Sequence, residues 1–150
     1  MLRRLFGTHP LGARNMSQIQ DFNAEVRSAE AWTDDFTKRL GWQDRGRGYL
    51  ALVAALHALR DCLRQDDAIY LGARLPTLLR GLYYDGWHGG AHTTARKREA
   101  FLARIHDGVH RDPEQVARAA LALIAVRLPA AEVEDAKAAT PKELRNLWPS

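Results

Sequence analysis

The feature that most constrains this chain is an internal similarity at a constant offset of 65 residues. That offset aligns residues 75–83, LPTLLRGLY, with residues 140–148, TPKELRNLW, without a gap. Residues 36–83 and 101–148 share eleven identities, where this composition gives about four by chance. The matched pairs are Phe36/Phe101, Arg39/Arg104, Ala54/Ala119, Ala55/Ala120, Leu56/Leu121, Leu63/Leu128, Ala73/Ala138, Pro76/Pro141, Leu79/Leu144, Arg80/Arg145 and Leu82/Leu147. Most are apolar, small or proline, residue types that fix packing and turns, so the similarity predicts a shared fold and not a duplicated catalytic centre.

Hydrophobic periodicity predicts helices in both halves, and no segment alternates apolar and polar residues convincingly enough for a strand. In the first half Trp32, Phe36 and Leu40 recur every four residues, with Ser28 as the expected N-cap. In the second half Asp112 precedes a proline and a glutamate, a strong helix-start signal. Further helix starts are expected near Asp44, Asp66, Pro76, Thr93 or Thr94, and Pro141. The expected fold class is all-α, with about eight helices in two similar multi-helix repeats packed as one bundle-like domain.

The length of 150 residues and the hydrophobic content of 46% allow one substantial core. We therefore expect a single helical domain over residues 16–150. Its expected segments are repeat 1 at residues 28–84, a linker at residues 85–94 and repeat 2 at residues 95–150.

The positive charge is concentrated at the start of the chain. The first fifteen residues hold three arginines and no acid, so the net charge of +4 falls to +1 from Met16 onward. We expect this leader, residues 1–15, to be a disordered tail, a transit peptide or a mis-called start, with translation beginning at either Met1 or Met16. Its charge is therefore no argument for nucleic-acid binding.

The remaining composition favours a soluble protein of a reducing compartment. No window approaches the roughly 18 uninterrupted apolar residues that a membrane span needs. The single cysteine, Cys62, cannot form an intramolecular disulfide. We expect a cytoplasmic protein with no membrane association.

Three runs of the sequence are distinctive as motifs: LHALRDCL, LGARLPTLLRGLYYDGW and EVEDAKAATPKELRNLWP. With these runs the chain resembles, over about residues 20–149, the bacterial family catalogued as domain of unknown function 2267. The chain departs from the family pattern at Thr140, where a leucine normally precedes the proline, and at HGGAH in the linker. The resemblance implies a small, soluble, helical protein without an established activity, and it supplies no catalytic residue.

Aromatic residues near the end of each half are the candidate partner-binding residues: Tyr83, Tyr84, Trp87 and Trp148. Because Trp148 matches Tyr83 at the offset of 65, the sequence favours a structural anchor at these two positions. Trp87 has no matched residue, and it either pins the linker on the bundle or is exposed as a contact for a partner.

Arg80 and Arg145 are a charged pair kept by the internal similarity. A guanidinium group can satisfy several carbonyls or one carboxylate at once. We expect both arginines to hold a helix end or to pair with acids of the same half. The alternative is that they form two quasi-equivalent anion sites.

The sequence holds little that indicates catalysis. Cys62 and His57 are five residues apart on one expected helix, about 140 degrees apart around its axis, so they cannot form a local dyad. His106 and His110 have the spacing of two ligands on one helix face, but no cysteines or HExxH pattern accompany them. We therefore expect no catalytic residues and no cofactor, with His106 and His110 as the candidates for a metal.

A basic cluster at Arg96, Lys97 and Arg98 is the candidate nucleic-acid patch. At a helix beginning, however, such a cluster opposes the helix dipole, which favours a solvated charged face.

These observations favour an uncharacterised, non-enzymatic protein-interaction or scaffold module whose two repeats present helical grooves to a protein partner. The alternatives are a nucleic-acid-associated module and a metal-dependent enzyme. A second copy could dock through the same grooves, so a homodimer stays open, and the sequence names neither partner nor pathway.

Overall fold

The structure is a computed structural model that describes the backbone of residues 11–89 and 93–150 and the side chains of residues 22–89 and 95–150. Within these ranges the chain forms helices packed together and no strand, which confirms the predicted all-α class. The α-helices are α1 (Leu11–Arg39), α2 (Arg45–Cys62), α3 (Gln65–Gly72), α4 (Thr77–Tyr84), α5 (Arg98–Val109), α6 (Pro113–Arg127) and α7 (Ala130–Ala139). Two 3₁₀ helices cover Thr93–Arg96 and Lys142–Leu147.

Two helix starts follow directly from the local sequence. The Oδ1 atom of Asp44 accepts a hydrogen bond from the backbone N–H of Gly46 at 2.9 Å, which caps α2. The Oδ1 atom of Asp112 accepts one from the backbone N–H of Glu114 at 3.1 Å, which caps α6. Each carboxylate satisfies an N–H group that the first helical turn leaves without a partner. The helix starts predicted at both aspartates are confirmed.

Other predicted boundaries differ from the structure. The prediction of Ser28 as an N-cap is wrong because α1 begins at Leu11, so residues 11–15 of the predicted leader are helical. Residues 1–10 lie outside the described part of the chain. No proline or glycine interrupts residues 16–28, so nothing in that stretch stops the helix. Thr93 begins a 3₁₀ helix instead of capping α5, and the closing helix of the chain is also 3₁₀.

The core is continuous across the two halves. Its fully buried side chains come from both of them, including Phe36, Leu79, Ile105, Leu123 and Leu144. Helix α2 packs most extensively against α5, and α1 packs against α2, α4 and α6. None of the described helices combines the length and apolarity that crossing a bilayer requires.

Helices α2 and α5 approach each other closely at Gly108. A Cβ atom added to Gly108 would lie 2.8 Å from the Cβ atom of Ala54, closer than two such carbons pack. The absence of a side chain at Gly108 therefore sets the separation between the two halves at this crossing.

A small cavity of about 50 Å³ lies between α3 and α7. Its lining residues pair at the same offset of 65: Leu63/Leu128, Asp67/Glu132, Tyr70/Asp135, Leu71/Ala136 and Arg74/Ala139. The Nε atom of Arg74 lies 2.7 Å from the Oε1 atom of Glu132 across this cavity. Helix α3 of the first half therefore faces α7, the matched helix of the second half, across this cavity.

Helix α1 also contacts the second half directly. The Nη2 atom of Arg127 lies 3.2 Å from the Oδ2 atom of Asp35, and the Nε2 atom of Gln115 donates to the carbonyl oxygen of Leu40 at 3.3 Å. The first helix is therefore held by α6, which follows much later in the sequence.

Candidate functional site

Two of the four candidate aromatic residues lie in the core. Tyr83 is 0% exposed, and its hydroxyl donates to the carbonyl oxygen of Ala68 at 2.7 Å. Trp148 is 4% exposed, and its Nε1–H donates to the Oγ1 atom of Thr140 at 3.1 Å. Burial raises the pKa of the Tyr83 hydroxyl above its usual range. Both rings are anchors of the core in this structure, so they offer no surface to a partner.

The other two aromatic residues, Tyr84 and Trp87, are half-buried and pack on each other. Their ring centroids are 5.6 Å apart, and the Tyr84 hydroxyl donates to the carbonyl oxygen of Ile69 at 3.2 Å. Trp87 also packs against the core, so in this structure it holds the start of the linker on the bundle.

Arg80 and Arg145 make the same kind of contact in the two halves. Each guanidinium group donates to backbone carbonyls at the end of the preceding helix. The acceptors at matched positions are Ala73 (3.3 Å) and Leu75 (3.0 Å) for Arg80, and Ala138 (3.1 Å) and Thr140 (3.0 Å) for Arg145. A cation satisfies carbonyls that a helix end leaves without partners. The structure thus places both arginines at helix ends, the first of the two roles weighed for them.

The predicted nucleic-acid patch is divided by intramolecular contacts. The Nη1 atom of Arg96 donates to the carbonyl oxygen of Cys62 at 2.8 Å. The Nη2 atom of Arg98 donates to the Oε1 atom of Glu114 at 3.1 Å. Lys97 is exposed. Two of the three cations are therefore used to hold helices together, and the cluster does not present a continuous basic face.

His106 and His110 are exposed, and their ring centroids are 5.6 Å apart in an edge-to-face arrangement. His110 is the C-cap residue that follows the last residue of α5, and it adopts the left-handed conformation with a φ angle of 53°. The part of the chain that the structure describes contains no group of three or more metal-binding side chains. The described residues around His106 and His110 therefore do not complete a metal-binding site with them.

Cys62 and His57 occupy separate environments. Burial raises the pKa of the Cys62 thiol to about 12, and the thiol donates to the carbonyl oxygen of Leu59 at 3.1 Å. His57 places its Nε2 atom 2.6 Å from the carbonyl oxygen of Leu82. The thiol is protonated at neutral pH, which suits a packing residue and not a nucleophile.

A buried ion network at the end of α2 is the feature that sequence reasoning missed. Arg60 and Asp61 are 3% and 6% exposed, and the Nε atom of Arg60 donates to Oδ1 of Asp61 at 2.8 Å. The Nη1 atom of Arg60 donates to the carbonyl oxygens of Tyr83 at 2.9 Å and Asp85 at 2.8 Å. From α5, the Nη1 atom of Arg104 lies 2.8 Å from Oδ2 of Asp61. The network joins α2 to the end of α4 and to α5. Its signal in the sequence was a pair of adjacent, oppositely charged residues inside an apolar stripe.

Two surface clefts lie beside Trp42. Gly41, with a φ angle of 73°, adopts the left-handed conformation just past the end of α1 and turns the chain there. Trp42 then separates two clefts, one of about 460 Å³ beside α1 and one of about 240 Å³ between α2 and α5. We call the face lined by Trp42, Arg47, Leu50, His110 and Arg111 the Trp42 surface.

The Trp42 surface combines an aromatic ring, cations and an exposed aliphatic side chain. The guanidinium carbon of Arg111 lies 5.3 Å from the centroid of the Trp42 ring, and Leu50 is 56% exposed. At its rim, Arg45 donates to Asp34 through two nitrogens at 2.6 and 2.7 Å. The hydrogen bond from Arg45 lowers the pKa of Asp34 and fixes that edge as an ion pair.

Comparison with known proteins places the chain in a family without assigning it an activity. No curated protein shows significant similarity to it. A family model described as "Uncharacterized conserved protein (DUF2267)" matches residues 29–147, which cover the linker and most of both halves. The chain therefore belongs to the DUF2267 family.

Proposed function

We propose that this chain is a non-enzymatic protein-interaction module that binds a protein partner through the Trp42 surface. The observation that carries the proposal is the grouping of a half-buried tryptophan, two arginines and an exposed leucine around two adjoining clefts. Tryptophan and arginine are the residues that most often dominate binding energy at protein interfaces. The clefts on both sides of Trp42 give the side chains of a partner two concave surfaces to pack against.

The exposure of Leu50 supports the same role. Leu50 is 56% exposed and its neighbour Tyr49 is 39% exposed, on the first turns of α2. An apolar patch bordered by charged groups is typical of a binding surface. The adjoining Arg47 and Arg111 favour a partner segment with aromatic or acidic side chains.

Photo-crosslinking in the source cell tests the proposal. A benzophenone amino acid at position 50 is compared with the same group at position 126, because Val126 is 62% exposed and lies on α6. We expect a crosslinked protein adduct at position 50 and none at position 126. An Arg111→Glu variant should lose the adduct while its thermal unfolding stays unchanged.

The same experiment separates the alternatives. Equal crosslinking at positions 50 and 126, or none at position 50, contradicts the proposal. An adduct at position 50 that disappears after nuclease treatment would replace it with the nucleic-acid alternative.

A further inference from the structure

Arg111 differs from the other arginines that line clefts of the described chain. Most of those have a carboxylate or carbonyl oxygen at 2.6–2.8 Å, namely Arg39, Arg45, Arg74, Arg96 and Arg118. Arg47 lies in the same cleft as Arg111, and its Nε atom is 3.7 Å from the Oδ2 atom of Asp44. Arg111 has no hydrogen bond or ion pair with any residue that the structure describes, and its guanidinium carbon lies over the Trp42 ring, 5.3 Å from the centroid. Its N–H groups are therefore available to a ligand.

The contact with Trp42 holds Arg111 without using its hydrogen-bond donors. Trp42 packs against the core, so its ring is a fixed platform. His110, in the left-handed conformation, turns the chain after α5 and leads directly into Arg111. A guanidinium group stacked on an aromatic face keeps its N–H groups in its own plane, where they match the two oxygens of a carboxylate. Arg111 is therefore positioned for an acidic side chain before any ligand arrives.

The cleft beside Arg111 combines positive charge with aliphatic surface. It has a volume of about 240 Å³, and the described residues that line it include Arg47 and Arg111 but no acid. Leu50 is exposed in this cleft, and Val109 is half-buried. The positive charge attracts a carboxylate, and an aliphatic side chain next to that carboxylate is stabilised by leaving water.

The acids around the cleft favour a peptide over nucleic acid. Asp44 lies beside Arg47, and the second cleft, on the other side of Trp42, carries Asp34 and Asp35. Nucleic acid presents a continuous row of phosphates, so an extended phosphate backbone would meet these carboxylates as well as the arginines. A single carboxylate on a protein segment avoids that repulsion.

Both breaks in the described chain are distant from this cleft. Leu11, the first described residue, is separated by about 40 Å from the end of α1 beside Trp42. The 3₁₀ helix that follows residues 90–92 is held at Cys62, roughly 18 Å along α2 from Leu50. The cleft is therefore formed by described residues at the start of α2 and the end of α5.

We propose that the Trp42 surface recognises an acidic segment of its protein partner, in which a glutamate or aspartate side chain adjoins an aliphatic one. The carboxylate accepts hydrogen bonds from Arg111 stacked on Trp42, and Arg47 adds to the attraction. The aliphatic side chain packs on Leu50. This inference rests on the proposed function and adds the chemistry of the occupant to it.

A short peptide with blocked ends is the probe, and each of its leucines is flanked on both sides by pairs of glutamates, so that no spacing is assumed. It is titrated into the full chain while NMR follows the indole N–H signals of the four tryptophans. Trp42→Phe identifies the Trp42 signal, and Trp148, whose indole N–H is bonded inside the core, is the internal reference. We expect the peptide to shift the Trp42 signal and to leave the Trp148 signal unchanged.

Two matched changes test the carboxylate contact at about 0.15 M salt, where distant charges are screened. Glutamines in place of the peptide's glutamates, and Arg111→Gln in the chain, should each weaken binding at least about fivefold. Because both changes remove the same contact, their combined effect should be smaller than the product of the two. Arg64→Gln removes an equal charge from an exposed arginine just past the other end of α2, so it should leave the affinity unchanged. Serines in place of the leucines should also weaken binding.

The proposed chemistry would be overturned by equal binding of the glutamate and glutamine peptides, or by no shift of the Trp42 signal with either. Crosslinking at position 50 would still decide separately whether this surface binds a protein. Equal losses with Arg111→Gln and Arg64→Gln would also overturn it, because net charge alone would then attract the peptide.

Two further results would assign the surface to another occupant and so overturn the proposal. A Trp42 signal that shifts when the chain alone is diluted would indicate a second copy. A Trp42 signal that shifts with a single-stranded oligonucleotide but not with the glutamate peptide would indicate nucleic acid.

Discussion

The two halves of the molecule share one arginine contact and differ in another. Arg80 and Arg145, at matched positions, each bind carbonyls within their own half. Arg60 and Asp61 exist only in the first half, and their network reaches across to Arg104 of the second. The matched contacts therefore shape each half, whereas the unmatched network joins the halves.

The aromatic residues that end the two halves, Tyr83 and Trp148, differ in their hydrogen-bond acceptors. The Tyr83 hydroxyl reaches back to the Ala68 carbonyl oxygen, whereas Trp148 donates to the side chain of Thr140. The residue that matches Thr140 in the first half is Leu75, which has no polar side chain. A polar side chain at this position thus gives the buried indole N–H an acceptor.

The largest expected effect comes from breaking the network that joins the halves. Asp61→Ala leaves the buried Arg60 without its carboxylate, which should lower the free energy of unfolding by about 3–5 kcal/mol. Urea unfolding measures this loss, with Asp107→Ala as control because Asp107 is exposed on α5. A loss as small as that of the control would show that the network does not stabilise the junction.

Thr140→Leu introduces the residue found at the matched position of the first half, Leu75, but removes the acceptor of Trp148. A buried indole N–H without a partner should cost about 1–3 kcal/mol of unfolding free energy. Adding Trp148→Phe removes the donor as well, so the double variant should lose less than the sum of the two single losses. Additive losses in this double-mutant cycle would contradict the coupling.

The matched arginines should give smaller and equal effects. Arg80→Ala and Arg145→Ala each remove hydrogen bonds to partly exposed carbonyls, so each should cost about 1 kcal/mol. Lysine cannot reach two carbonyls in the fork geometry of a guanidinium group, so Arg80→Lys and Arg145→Lys should not restore the loss. If either alanine variant kept full stability, that arginine would be free for the anion-binding role instead.

The smallest expected effect is the pH dependence that His57, in the first half, contributes to stability. Burial lowers the pKa of His57, the positive charges of Arg60 and Arg104 add to this, and the hydrogen bond with Leu82 opposes it. The unfolded chain therefore takes up the proton first as pH falls below about 6.5, and the folded state loses stability from there down to the lowered pKa. His57→Gln keeps a donor to Leu82, so its unfolding free energy should fall less than that of the parent between about pH 7 and pH 5. Parallel pH profiles would contradict this.

Features set by a few neighbouring residues could be predicted from the sequence. The caps at Asp44 and Asp112 depend on N–H groups two and three residues away. The apolar stripe through Phe36 and Leu40 sets the helix period and its buried face. Such local signals are sufficient to predict the all-α class, because the class does not depend on which helices pack against each other.

Features set by the meeting of distant helices could not be predicted. The Nη1 atom of Arg98 donates to the carbonyl oxygen of Glu143, 45 residues away, at 3.3 Å, and this contact engages a cation of the predicted nucleic-acid patch. Trp42 follows α1 outside any periodic stripe, so no pattern in the sequence indicated the two clefts beside it. Burial of both Tyr83 and Trp148, in contrast, agrees with the anchor role that their matched positions suggested.

The contact of α1 with α6 also determines when the fold can be completed during synthesis. Asp35 and Arg127 are 92 residues apart in the chain, and Leu40 and Gln115 are 75 apart. Contacts between such distant residues form slowly, because the intervening chain must first be closed into a loop. While only α1 to α4 have left the ribosome, the apolar faces of α1 and α2 that later meet α5 and α6 are uncovered. The internal similarity therefore does not make the first half an independent folding unit, and a chaperone that shields α1 and α2 should raise the yield of folded protein.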